Sequence, residues 1–88
     1  MQILNPTYTI RSITVSMNIN RTLNLKKLAI SLNGILDKQR LRISFQNGDH
    51  GSITKNGTVK AIGAKSTIDA LTNLHYLLKK IEKAKVIQ

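Results

Sequence analysis

Residues 51–66 read Gly51-Ser52-Ile53-Thr54-Lys55-Asn56-Gly57-Thr58-Val59-Lys60-Ala61-Ile62-Gly63-Ala64-Lys65-Ser66. Asn56-Gly57 supplies the two positive φ angles of a type I′ turn, and short runs with β-branched residues flank it. The spacing predicts a hairpin with strands over about 51–55 and 58–63. Ile53, Val59 and Ala61 fall on one side of it, and Ser52, Thr54, Lys60 and Ile62 on the other. Such a hairpin must lay its apolar side on something, so the flanking segments decide the fold.

Downstream, the period changes to that of a helix. Ala70, Leu71, Leu74, Leu77, Leu78, Ile81 and Ala84 form a broad stripe over a helix of about 65–85. Ser66 is the cap candidate, with Asp69 three residues on. Lys79, Lys80, Lys83 and Lys85 load the far end, where the helix dipole favours cations. Upstream, Gln46-Asn47-Gly48-Asp49-His50-Gly51 has the composition of an exposed turn. Before it, Leu41, Ile43 and Phe45 alternate with Arg40, Arg42 and Ser44, which predicts a strand over about 39–46.

Further upstream, residues 8–19 alternate in the same way, Ile13, Val15, Met17 and Ile19 against Ser12, Thr14, Ser16 and Asn18. Between these strands, Leu25, Leu28, Ala29 and Leu32 recur at helical spacing behind Asn24, a capping residue, and Gly34 is placed to end the helix in a left-handed conformation. The order is strand, helix, strand, strand, strand, helix. The expected class is α+β: a four-stranded antiparallel sheet with both helices on one face and the other face open. One domain is expected over 1–88, with 1–7 as an extension and 8–85 as the folded core.

The open face would display Ser12, Thr14, Ser16, Arg40, Arg42, Ser44, Ser52, Thr54, Thr58, Lys60 and Ile62. All but Ser52 are the candidate nucleic-acid contacts. Arg40 and Arg42, two apart on a strand, share a side, and guanidinium groups suit phosphate well. The whole chain of 88 residues carries 14 Lys and Arg against 4 acids, a formal charge of +10. That surplus draws in polyanions but says nothing about fold.

The absence of cysteine excludes disulfides and thiolate metal sites, and His50 and His75 are too few for a zinc site. Asp49-His50 resembles a catalytic pair only superficially, since no third group is evident. His75 is expected on the exposed side of its helix. No enzyme activity, cofactor or metal is expected. The first residues lack the pattern of a secretion signal, and no run approaches the ~20 apolar residues of a membrane span. A soluble intracellular protein with no membrane partner is expected, with cytoplasm and nucleus not distinguished.

Leu23-Asn24-Leu25-Lys26-Lys27-Leu28-Ala29 resembles the Leu-Asp-Leu-x-x-(apolar)-Ala opening of the first helix in the TATA-box-binding protein family. The stretch from Asn56 to Ser66 resembles that family's Ser-Gly-Lys-(apolar)-x-x-Thr-Gly-Ala-Lys-Ser hairpin and helix start. Gly63-Ala64-Lys65-Ser66 is the most specific fragment. The resemblance covers about 12–82 and implies one repeat of that fold, an open sheet platform and DNA binding in transcription. It also implies a phosphate-contacting role near Arg42 and groove-facing positions at Lys60 and Ile62. The N-terminal domain of type-three bacterial ribonuclease H is similar too, which leaves RNA–DNA hybrid open as a ligand beside DNA.

The departures are specific. The family carries two repeats, and this chain has room for one. Family members kink DNA with apolar wedges between base steps. Here Thr54 stands at one wedge position, and the other falls near Asp37 and Lys38. Phe45, the only phenylalanine, is in phase with the core. Binding without wedge-type kinking is therefore expected. The first strand would be an edge without lysines on its outward side, so a homodimer through it is expected. The alternative is an interaction adaptor or regulatory module, viral in origin for instance, engaging an acidic protein.

Overall fold

The computed structural model describes residues 13–45 and 48–87. The chain runs β1 (Ile13–Asn18), α1 (Leu25–Leu32), β2 (Ile35–Asp37), β3 (Arg40–Ser44), β4 (His50–Thr54), β5 (Thr58–Ala64) and α2 (Thr67–Ala84). It is an α+β fold with one antiparallel sheet in the order β1-β5-β4-β3-β2. The sheet has five strands where the periodicity predicts four. The addition is β2, with Ile35 opposite Arg42, Leu36 opposite Leu41 and Asp37 opposite Arg40. Three residues are too few to display period two. Their pairing is fixed by β3 across a tight turn in which Lys38, not a glycine, takes the positive φ of 57°.

The caps follow composition closely. The Asn24 side-chain oxygen accepts from the Lys27 N–H at 3.3 Å and opens α1. The left-handed end falls on Asn33 (φ 54°), one residue before the expected Gly34. Asparagine tolerates that conformation. Gly34 is needed for a different reason: a Cβ there would stand 2.8 Å from the Arg42 carbonyl oxygen, so the chain passes hard against β3. Ser66 caps α2 by accepting from the Asp69 N–H at 3.1 Å.

The central hairpin differs from the expected two-residue type I′ turn. Ile53 pairs with Val59, and the loop between Thr54 and Thr58 holds three residues. The Gly57 N–H donates to the Thr54 carbonyl at 3.0 Å, and of Asn56 and Gly57 only Gly57 has a positive φ, 96°. That is the three-residue loop in which a turn is followed by a left-handed residue. A Cβ on Gly57 would come within 2.6 Å of the Arg21 carbonyl oxygen, because the chain leaving β1 crosses the turn there.

β5 carries a second irregularity. Ile13 pairs with Ala64 but Val15 with Ala61, and Gly63 (φ 91°) lies in the bulge between. The extra residue turns both Ala61 and Ala64 to the buried side although they are three apart.

Both helices cover one side of the sheet. α1 lies on β2 and β3, and α2 lies on β5, β1 and β4. Leu25, Leu28, Leu41, Ile43, Ile53, Val59, Leu74, Leu77 and Ile81 form the core between the layers. Each fully buried aliphatic side chain contributes about 1.5–3 kcal/mol. Leu23 and Val86 close one end of that core, where the Asn24 N–H donates to the Val86 carbonyl at 2.9 Å and Leu23 bridges Ile87.

Two apolar residues expected inside are open instead. Met17 is 47% exposed on the edge strand, where α2 covers β1 only in part, and Leu71 is 43% exposed on the flank of α2. Phe45 is half-buried and meets Tyr76 edge to face, with centroids 5.9 Å apart. Asp49, expected in a solvated turn, is buried; its carboxylate accepts from the Asn73 amide at 2.9 Å, which ties the loop before β4 to α2. His75 is exposed. No described helix is long and apolar enough to cross a membrane.

Candidate nucleic-acid interface

Strand pairing fixes which residues stand side by side on the uncovered face. One row across the sheet is Ile35, Arg42, Ser52, Lys60 and Ser16. A second runs Asp37, Arg40 and Thr54, then Thr58 and Asn18. A third sets Ser44 against His50 and His50 against Ile62, with Thr14 beyond them at the bulge. Thr14, Ser16, Arg40, Arg42, Ser44, Thr54, Thr58, Lys60 and Ile62 are thus brought onto one surface. Ser12 lies outside the described residues, as does most of the first strand's expected N-terminal half.

Arg42 and Lys60 flank the buried Ser52 in the first row, so their backbones lie two strand spacings apart, about 9–10 Å. Around them the face sinks into an open depression of about 830 Å³, lined by Arg40, Arg42, Ser52, Thr54, Thr58 and Lys60, with Asp37, Lys38, Lys55 and others at its rim. The Arg42 guanidinium lies 3.5 Å from the Asp37 carboxylate, and both side chains are more than half exposed. An ion pair this solvated is worth about 0–1 kcal/mol, so Arg42 can exchange Asp37 for a phosphate at little cost.

The threonines have a different role from the cations. Thr54 and Thr58 both donate from their hydroxyls to the Asn56 side-chain oxygen. The Thr58 N–H donates to the Thr54 hydroxyl at 3.2 Å, and the Asn18 amide donates to the Thr58 hydroxyl at 3.0 Å. These groups lock the hairpin and the end of β1 to each other. Their hydrogen-bonding capacity is largely spent inside the protein, which leaves Arg40, Arg42, Lys60 and the serines to meet a ligand.

Sequence reasoning missed His50, Asp37 and Ile35 on this face. His50 was legible, because it continues the Thr54, Ser52 alternation by one step, and β4 begins on it rather than on Gly51. Asp37 and Ile35 were not, because β2 has no periodic signal of its own. Among the described residues no three His, Asp or Glu side chains gather where a metal could bind.

No family model matches the sequence, and no curated protein or solved structure matches the chain.

Proposed function

We propose that this chain is a nucleic-acid-binding domain, with DNA as its ligand, that grips phosphates through the open face of its sheet. The observation carrying this reading is the placement of Arg40, Arg42 and Lys60 on one uncovered face, Arg42 and Lys60 in register with serines and Arg40 with Thr54, while the opposite face is apolar and sealed by helices. The described residues of the open face include no Phe, Tyr or Trp. Contacts of this kind hold the backbone and distinguish sequences poorly. The domain works as a single repeat of the TATA-box-binding-protein type, without kinking the duplex.

The uncovered edge of β1 completes the reading. No strand flanks that edge among the described residues, and Ile13–Asn18 contains no charge to deter pairing. Two copies pair there about a two-fold axis into one continuous sheet. Light scattering at tens of micromolar should return a dimer; a strict monomer overturns the pairing but not the binding face.

A salt-titrated binding assay against duplex DNA, single strands, double-stranded RNA and an RNA–DNA hybrid tests the function. Wild type should bind duplex DNA at low salt and lose affinity steeply as salt rises. Replacing Arg40, Arg42 and Lys60 together by Ala should abolish most of that binding. Unchanged affinity removes the sheet face as the site, and no binding by wild type at low salt favours an adaptor for an acidic protein.

A further inference from the structure

Three lysines, two of them at the rim of the depression on the sheet face, are held together at one end of the molecule. Lys26 lies in the first turn of α1, Lys38 in the β2–β3 turn and Lys55 in the β4–β5 loop, and all three are exposed. Backbone hydrogen bonds pin these segments to one another: the Lys55 N–H donates to the Gln39 carbonyl at 3.1 Å, and the Leu23 N–H donates to the Lys55 carbonyl at 2.9 Å. The lysines line a cleft of about 310 Å³ with Leu23, Leu25 and Leu36 at its base and no acidic residue in its wall. The cleft is continuous with the depression on the sheet face, because Lys38, Gln39 and Lys55 line both.

We propose that this rim is a second phosphate-binding surface, along which the backbone of a bound nucleic acid leaves the sheet face, crosses over the two joined hairpin ends and reaches the start of α1. The inference rests on the nucleic-acid reading and extends it from the face, past its rim at Lys38 and Lys55, to Lys26. Like charges fixed on three mutually anchored segments repel one another, and a chain of phosphates relieves that repulsion without having to order the segments first. The Lys27 N–H at the head of α1 is already taken by Asn24, so that amide is not offered to a phosphate.

The test compares wild type, Lys26→Ala/Lys38→Ala/Lys55→Ala and the corresponding triple Lys→Arg variant on two probes, a short duplex DNA and inorganic polyphosphate. Each phosphate contact adds about 0.9 to the slope of log affinity against log salt. The Ala variant should therefore lose about 2–3 from the slope on duplex DNA and roughly tenfold or more in affinity. The Arg variant should keep both, and neither variant should melt below wild type. An Ala variant with wild-type slope and affinity on both probes overturns the rim while leaving the sheet face standing. Binding of polyphosphate alone, lost in the Ala variant, keeps the rim and overturns the nucleic-acid reading. Failure of wild type to bind either probe overturns both.

Discussion

The middle of the sheet carries two rows of side chains one residue apart in the chain, with opposite fates. Leu41, Ile53 and Val59 line up across β3, β4 and β5 with no exposed surface, packed under the helices. Arg42, Ser52 and Lys60, their chain neighbours, line up on the other side under no layer at all. Period two alone separates a row that holds the fold from a row that is free to hold a ligand. A residue on either row should therefore affect one property and spare the other.

The largest expected effect is on the sealed row. Ile53→Ala should cost about 2–5 kcal/mol, through lost burial and the cavity left between α1, α2 and the sheet. Urea denaturation measures it, and a loss below 1 kcal/mol would mean that the row repacks freely. Next comes the turn joining β4 to β5. Gly57→Ala combines a positive φ with a Cβ only 2.6 Å from the Arg21 carbonyl oxygen, and should cost about 1–3 kcal/mol. A variant as stable as wild type would show that the chain after β1 can retreat from the loop. The smallest effect is expected beside the open row. Asp37→Asn removes the ion-pair partner of Arg42 and should change stability by less than about 1 kcal/mol, the pair being exposed to solvent. Affinity for duplex DNA should rise a few-fold in filter binding as the face loses its acid. A fall would mean that Asp37 positions Arg42 for its ligand.

Features encoded within a few residues were readable in advance. Asn24 and Ser66 cap their helices, Gly57 takes a left-handed conformation, and the alternation about Ile53 and Val59 separates the two faces. What escaped depends on partners outside the segment itself. β2 exists because β3 folds back beside it across a two-residue turn, and nothing in Ile35-Leu36-Asp37 alone marks a strand. Asp49 is buried because Asn73 on α2 reaches it, so a stretch with turn composition became part of the packing. The candidate site was legible as a set of residues sharing one face of the sheet, but not in its hydrogen bonding. Alternation placed Thr54 and Thr58 correctly among the outward residues, yet only their bonds to Asn56 reveal that they brace the hairpin.

The pairing of β1 with β5 joins the first described strand to the last. During synthesis, β1 is made before any of its neighbours and must wait for the rest of the sheet. The β2–β3 and β4–β5 hairpins close over short loops and form early, whereas the β1–β5 ladder and the Leu23–Ile87 bridge bring together distant parts of the chain. The nascent chain therefore passes through a stage in which an uncharged strand has lost neither of its open edges. Its risk of mispairing with another copy is greatest before the molecule is finished.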